Sequence, residues 1–471
     1  MDDNVMQVLQ LLQDGKISAS EAEMLISALR GEGGSAKAAA SAPPPKDEKS
    51  DRHSGQTVSS GSPKFDFDNL GERISKAVAK VQPEKIVRTI QNQLRSATKA
   101  GANWGASMSA KIRTWSDGCD ARPKNPGAFP EHADTHEQEF HLEPGASVLI
   151  ENPLGNVLVV GQNDGPASVT IRKLVWSEKM DDIQTVLQKI QVDLQGTDTR
   201  LDVRVSAPDF YTEGTVDIEV RLPQSVGLVH AATNFGDIEL GGIGGRVETT
   251  ATSGSLNLHD IGGEVRGETV SGELKVAKVG GAVTVATQSG SILAEDIGGG
   301  LTASSASGNV RAARIGGNKI ECKSISGDVA VEQVGGDSQK DITIETVSGD
   351  ANLKNASGNI VLKAISGDVH AEEITTSRLQ AQTMSGDVGL RFREIFSGTM
   401  QVSTVSGDVL VAIPEGSNAR VVMSTTSGSL RCEHDAHEVT ASGTVWSGQL
   451  GDGSGTLNVQ TISGDAHLQR S

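Results

Sequence analysis

The sequence predicts a mainly β protein whose second half coils into a β-solenoid. Three observations predict this fold: turn glycines recur every 18 residues, Gly-Gly pairs lie halfway between them, and the intervening residues alternate between apolar and polar. The regular spacing links Gly254, Gly272, Gly290 and Gly308. A fixed short period of this kind indicates one small structural unit stacked on itself.

Each repeat carries the pattern of a strand with one buried face. After Gly272, the second, fourth and seventh residues are the apolar Leu274, Val276 and Val279, and alternation of this kind is typical of a half-buried strand. The glycines at the corners allow positive φ and turn the chain. We therefore predict 18-residue coils of two strands each, stacked about 4.8 Å apart. The alternative is a propeller, which needs a period of about 40 residues.

The composition divides the chain into five segments. They are a small α-helical hairpin over 1–30, a disordered linker over 31–63, a basic amphipathic helical segment over 64–117, a β-rich cap over 136–232 and the solenoid over 233–471. The linker is rich in Gly, Ala, Ser and Pro, which is typical of flexible chain. The cap has five strand-like stretches and one predicted helix, Met180–Val192, and we expect it to cover an exposed solenoid edge.

The helical hairpin is too small to stand alone. Ser18 and Glu21 form a capping box ahead of its second helix, and both helices carry an apolar stripe. A module of this size buries little surface by itself. We therefore expect residues 4–30 to self-associate or to bind a partner.

The charge of the basic segment is opposite to that of the whole chain. Between Arg73 and Arg113 there are nine basic residues and one acid, Glu84, whereas the formal net charge of the chain is −18. Basic amphipathic helices with nearby tryptophans are typical of segments that contact an anionic membrane surface. The candidate membrane-binding residues are Arg73, Lys76, Lys80, Lys85, Arg88, Arg95, Lys99, Trp104, Lys111, Arg113 and Trp115. The alternatives are packing of these helices on the acidic remainder of the protein and binding of a protein partner.

Charge and hydropathy limit the cellular compartments and the classes of binding partner that the sequence favours. The acidic balance argues against a nucleic-acid partner for the whole chain. The acidic start, Met1–Asn4, is unlike a signal peptide, and no apolar run is long enough to span a membrane. We therefore expect a cytoplasmic protein that touches the inner face of the membrane. Cys322 and Cys432 fall at inward positions of their repeats and are predicted to be core residues.

The sequence predicts no catalytic residue, metal site or cofactor. The acids of the Ser-Gly-Asp turns could suggest calcium, but the Gly-Gly-x-Gly-x-Asp repeat that binds calcium is missing. These acids are better interpreted as turn stabilisers. Two further sets of residues resemble metal ligands but do not predict a site. His132, His136 and His141 lie at the edge of a linker with no cysteine among them, and Cys432, which is spaced like a ligand with His434 and His437, falls at an inward position. No nucleophile elbow, P-loop or dinucleotide fingerprint is present in the sequence.

Three features together resemble the DUF4097 putative-adhesin β-strand repeat family. They are the entry strand Ser147–Asn152 with its Pro153-Leu154-Gly155 turn, the strand Val216–Pro223 ahead of Phe235-Gly236-Asp237-Ile238, and the serial Ser-Gly-Asp turns. The resemblance covers roughly residues 140–471, and the hairpin from Gly15 to Leu29 is similar to a SHOCT-like helical domain. The resemblance implies a bacterial protein linked to the cell envelope or its stress response, with no established catalytic residues.

We therefore predict a non-enzymatic scaffold or interaction protein with an unknown protein partner. A surface or secreted adhesin is the main alternative. A β-helix that binds or cleaves polysaccharide is a further one, although the 3% aromatic content offers few sugar-stacking platforms.

Overall fold

The computed structural model describes residues 131–163, 165–176, 180–207, 214–335 and 340–471. All of the described residues belong to one compact unit. The predicted hairpin, linker and basic segment lie outside the described residues. The described part is a β-solenoid, as the repeat predicts.

The N-terminal elements include every strand predicted for this region. The elements are β1 (Glu131–Phe140), β2 (Ser147–Asn152), β3 (Val157–Gln162), β4 (Ala167–Trp176), α1 (Met180–Lys189), β5 (Gln191–Thr197), β6 (Arg200–Ser206) and β7 (Gly214–Pro223). The helix ends at Lys189 rather than at Val192, because β5 begins two residues later. Strands β1 and β5 were not predicted. Their described side chains are mostly exposed, so they lack the apolar alternation that marks a strand.

The repeat region contributes strands alternately to two sheets. Those of the first sheet are β8 (Leu228–Phe235), β10 (Arg246–Ser253), β12 (Val265–Ser271), β14 (Val283–Ser289), β16 (Leu301–Ser307), β18 (Lys319–Ser326) and β20 (Asp341–Ser348). Those of the second sheet are β9 (Ile238–Gly241), β11 (Leu256–Ile261), β13 (Leu274–Val279), β15 (Ile292–Ile297), β17 (Val310–Ile315) and β19 (Val329–Val334). Within each sheet, neighbouring strands are parallel and 18 or 19 residues apart up to β18 and β19.

The C-terminal elements are less regular. Two long strands, β21 (Ala351–Lys363) and β22 (Val369–Gln382), pass from the second sheet into the first. The others are β23 (Val388–Phe392), β24 (Thr399–Ser403), β25 (Val409–Ile413), β26 (Ala419–Ser424), β27 (Leu430–Cys432), β28 (His437–Ala441), β29 (Val445–Leu450), β30 (Gly455–Gln460) and β31 (Ala466–Arg470).

The inward side chains of both sheets form one core. Val276 on β13 is 1% exposed, whereas its neighbour Lys275 is exposed, so the predicted strand register is confirmed. Cys322 is fully buried, and burial raises the pKa of its thiol to about 12. Cys432 is only partly buried, near the end of the stack.

Coils at both ends of the solenoid are out of sequence order. The coil of β2 and β3 lies between the coil of β6 and β7 and the coil of β8 and β9. Likewise, the coil of β30 and β31 lies between that of β24 and β25 and that of β26 and β27. Coils are therefore already present within 136–232, the region predicted as a cap. Antiparallel strands, β4 and β5 at one end and β29 at the other, flank the outermost coils.

The Gly-Gly corners turn differently from the prediction. The positive φ lies two residues before each pair, at Asp260, Lys278, Asp296 and Arg314. The pairs themselves are glycine because adjacent coils approach closely. A Cβ on Gly281 would overlap the backbone of Gly263 in the preceding coil. Close packing between coils, rather than backbone conformation, requires these glycines.

Candidate interaction surface

The corner from the first sheet to the second is formed by the Ser-Gly-Asp turns and is called here the turn edge. Its serines stack from coil to coil, as in the parallel bridges Ser366 to Ser385 and Ser385 to Ser406. Its glycines stack too, and a Cβ on Gly386 would overlap the carbonyl of Gly367. Stacking in register therefore places equivalent residues in straight rows along this edge.

Hydroxyl groups inside the corner hold the glycine carbonyls. The Thr346 hydroxyl donates to the Gly327 carbonyl at 3.0 Å, and the Thr383 hydroxyl donates to that of Gly367 at 2.9 Å. Each of these bonds joins one coil to the preceding one. The partly buried backbone oxygens of the turn are thereby paired, which fixes the spacing of the edge.

The turn acids form a ladder of hydrogen bonds. The Asp368 carboxylate accepts the backbone N–H of Asp387 at 2.8 Å, and the Asp387 carboxylate accepts that of Asp408 at 2.8 Å. The pattern ends where Asp465 accepts the Ser429 N–H at 2.7 Å, a bond that lowers the pKa of Asp465. Six acids make up this acidic row: Asp328, Asp350, Asp368, Asp387, Asp408 and Asp465.

The acidic row has no cation partner within the described part of the chain, where no ion pair involves any of its members. Neighbouring coils are about 4.8 Å apart, so like charges repel along the row. The ladder shows the predicted turn-stabilising role. Among the described residues, no group of three or more His, Cys, Asp or Glu side chains has the arrangement of a metal site.

A row of aliphatic side chains runs beside the acids, three residues earlier in each turn. The side chains of Ile325 and Val405 are 39% and 37% exposed, and the others are partly buried. The apolar row consists of Ile325, Val347, Ile365, Met384, Val405 and Ile462. Its backbone is linked coil to coil, since the Ser385 N–H donates to the Ile365 carbonyl at 3.0 Å. This row was not predicted from the sequence, although an apolar residue ahead of each Ser-Gly-Asp is visible there.

The opposite corner, which carries the residues of positive φ, is called the paired edge. Here charge alternates from coil to coil, from Asp260 through Lys278 and Asp296 to Arg314. The Arg314 Nε lies 2.5 Å from an Asp296 oxygen, and the Lys278 Nζ lies 3.5 Å from Asp260. The hydrogen bond from Arg314 lowers the pKa of Asp296. The charges at this position in these four coils are therefore paired within the chain.

The other sequence-predicted sites are distributed as follows. The candidate membrane-binding residues, Arg73 to Trp115, lie outside the described residues. Cys432 and His434 are adjacent, but the thiol contacts the His434 carbonyl, and the His434 ring bonds to the Gln469 carbonyl at 3.1 Å. His136 lies on β1, an exposed strand far along the chain from both. No helix in the described ranges is long and apolar enough to span a membrane.

Solved structures similar to this chain include three bacterial proteins. A "putative cell adhesion protein" from Clostridium sporogenes has 11% identity and covers 72% of this chain and 100% of its own, with a TM-score of 0.15. A "putative adhesin" from Bacteroides fragilis has 14% identity and covers 55% of this chain and 97% of its own, with a TM-score of 0.26. A "putative lipid binding protein" from Parabacteroides distasonis has 10% identity and covers 72% and 97%, with a TM-score of 0.22.

Family models match two parts of the chain, and no curated protein matches it. Residues 283–469 match the family described as Toastrack DUF4097, a shorter range than the predicted resemblance. Residues 3–34 match the SHOCT-like domain. Both resemblances predicted from the sequence are thus confirmed: residues 283–469 are similar to the DUF4097 Toastrack family, and residues 3–34 are similar to a SHOCT-like domain.

Proposed function

We propose that this protein is a non-enzymatic interaction scaffold. Its turn edge would bind a segment of a protein partner that carries a stripe of apolar residues flanked by Lys or Arg. The observation that carries the proposal is the pair of rows on one edge, six partly exposed aliphatic side chains beside six carboxylates without a cation partner among the described residues. Lysine or arginine from a partner would offset the repulsion along the acidic row. The apolar row would supply buried surface.

The dimensions of the edge suit a helical partner. Six coils at about 4.8 Å give rows about 24 Å long. A helix of about 16 residues has the same length. A stripe of apolar residues with Lys or Arg on one flank would lie along both rows at once. A partner of this kind is the occupant we propose.

A synthetic amphipathic peptide of about 16 leucine and lysine residues provides the probe for binding. The triple variant Asp368→Asn, Asp387→Asn and Asp408→Asn removes three charges from the acidic row, and we expect it to weaken binding at least about tenfold. The matched control is Glu239→Gln, Glu264→Gln and Glu332→Gln, which removes three exposed acids from other surfaces. Equal weakening in both variants would show that only net charge attracts the peptide, and would refute the proposed surface.

The basic segment supports a second part of the proposal. The protein would be cytoplasmic and would contact anionic lipid at the inner face of the membrane through this segment. Each Lys or Arg near an anionic bilayer contributes about 1 kcal/mol. Nine basic residues between Arg73 and Arg113 therefore suffice for association. Residues 4–30 would pair with a second copy or a partner, and the resemblance to the DUF4097 family favours a role at the cell envelope or in its stress response.

Vesicle flotation of the full chain tests this second part. We expect association with phosphatidylglycerol vesicles and none with phosphatidylcholine, weakening as salt screens the charges. Changing Lys76, Lys80, Arg88 and Arg95 to Glu should abolish it. The control is the same change at four exposed solenoid positions, Lys275, Lys354, Arg420 and Arg431. If the wild-type chain stays with neither kind of vesicle, the membrane proposal is wrong, and packing of the basic helices within the protein becomes the better interpretation.

A further inference from the structure

The coil of β30 and β31 occupies a slot between two coils that precede it in the chain. From β25 the chain skips one coil position, builds β26 and β27, forms the hairpin of β28 and β29, and then returns to fill the gap. The stack therefore cannot be completed in sequence order at this end.

The inserted coil is bonded along both of its edges. Toward the β24 and β25 side, the Thr404 N–H donates to the Gln460 carbonyl at 2.9 Å, and the Val409 N–H donates to the Asp465 carbonyl at 2.8 Å. Toward the other side, the Ala466 N–H donates to the Ser429 carbonyl at 2.9 Å. Its inward side chains Leu457, Val459, Ala466 and Leu468 are all buried. Without this coil, two parallel strand edges would face each other across an unfilled gap.

One short crossover connects the coil to the hairpin. Strand β26 pairs with β29 on one edge and with β30 on the other, so residues 451–454 pass around its end. Asn418 anchors the crossover, because its side-chain oxygen accepts the Asp452 N–H at 3.1 Å. Gly451 and Gly453 hold positive φ angles of 54° and 69° there. Short constrained hinge loops of this kind favour exchange of the element that follows them.

We infer that the slot also accepts the β30–β31 coil of a second copy of this chain, so that two molecules exchange these coils. Every backbone bond and core contact of the coil would be reproduced between the two molecules, because the exchanged element is identical. Only residues 451–454 must change, from a bend around β26 to an extended bridge of about 13 Å. An open slot presents unpaired edges that require a strand partner, and the identical coil is the partner that matches both in register.

Mixed cysteine pairs test the exchange directly in the full chain. Gln401 on β24 and Asn458 on β30 are register neighbours with exposed side chains, and neighbouring strands lie within disulfide reach. One preparation carries Gln401→Cys and the other Asn458→Cys, both with Cys119→Ser and Cys432→Ser. The two are mixed, warmed below the unfolding temperature and oxidised. Circular dichroism of each preparation checks that the surface changes leave the fold intact.

The control pair is Thr284→Cys mixed with Thr302→Cys, register neighbours on β14 and β16 in the same outward row of the first sheet. Coils in the middle of the stack cannot exchange without global unfolding. We expect at least about tenfold more disulfide-linked dimer from the Gln401 and Asn458 pair than from the control pair, rising with concentration as mass action requires. Equal amounts of disulfide-linked dimer in both mixtures would indicate random collision of the molecules and would refute the exchange. Absence of linked dimer from the Gln401 and Asn458 pair would also refute it. Placing both changes in one chain locks the coil in its own slot and should prevent the dimer.

Discussion

The two long edges of the solenoid carry charge in opposite arrangements. On the paired edge, acid and base alternate from coil to coil, and Arg314 binds Asp296 directly. On the turn edge, Asp368, Asp387 and Asp408 stack as like charges, and backbone N–H groups rather than cations bind them. The same stacking rule therefore pairs the charges in these coils of one edge and leaves the acids of the other edge without a cation. Among the described residues, only the turn edge has the apolar row beside it.

The difference favours the turn edge as the proposed binding surface. The paired edge would gain little electrostatic energy from a charged binding partner, because its ions are already paired within the chain. The turn edge keeps its acids within the fold by hydrogen bonds, yet retains their charge, so a basic partner would lower the electrostatic energy of the row. Stability and binding can therefore be separated on this edge by substitutions that keep the hydrogen bond and remove the charge.

The largest effect is expected from the glycine column under the turn edge. In Gly290→Ala, the new Cβ would overlap the carbonyl of Gly272 in the preceding coil, so the coils must separate locally. We expect a loss of about 2–3 kcal/mol in the free energy of unfolding, measured by urea denaturation. The matched control is Gly267→Ala, where a Cβ would meet only side chains, with Val285 at 3.5 Å.

That control separates close packing from the loss of glycine itself. Gly267 has no positive φ and occupies an inward position between Thr249 and Val285. Alanine at this position should leave the free energy of unfolding unchanged or raise it by up to about 1 kcal/mol, because it reduces the conformational freedom of the unfolded chain. If both variants lost the same stability, the proposed close approach between coils would not explain the glycines.

An intermediate effect is expected from the acidic row. Asp387→Ala removes the carboxylate that accepts the Asp408 N–H at 2.8 Å, and the loss of one such bond costs about 1 kcal/mol. Asp387→Asn keeps an oxygen acceptor and removes a repelling charge, so it should equal or exceed the wild type in thermal stability. A loss in Asp387→Asn as large as that in Asp387→Ala would mean that charge, and not the hydrogen bond, stabilises the turn.

Much of the solenoid could be predicted because its signals are local. The inward register at Leu274, Val276 and Val279 follows from alternation around one glycine, and the turn-stabilising role of the acids follows from their side-chain chemistry. The slot filled by β30 and β31 could not be predicted, since every coil has the same pattern and the sequence does not say which coils are neighbours. Pairing of that coil with β24 depends on long-range stacking rather than on local sequence.

The charge arrangement of the edges was only partly visible in the sequence. Counting from each turn glycine shows that Asp260, Lys278, Asp296 and Arg314 share one position. Their alternation has meaning only once the coils are known to stack. The residues of the apolar row are equally visible in the sequence, but they do not predict a surface by themselves. A single aliphatic residue ahead of a turn is ordinary and becomes part of a surface only when six are aligned.

The smallest effect is expected on the paired edge, and its pH dependence sharpens the contrast. The hydrogen bond from Arg314 holds the pKa of Asp296 below its usual value, so the folded state favours the carboxylate. A lowered folded pKa gives stability that is present above the unfolded pKa and is lost as pH falls through the folded one. Arg314→Ala removes this contribution. The variant should therefore have a lower melting temperature than the wild type at pH 7. The difference should be small, because both ions are exposed and solvent-screened, and the two melting temperatures should converge in acid. Thermal melts from about pH 7 to about pH 2 measure the convergence. A gap that persisted in acid would mean that Arg314 acts through packing of its side chain rather than through Asp296.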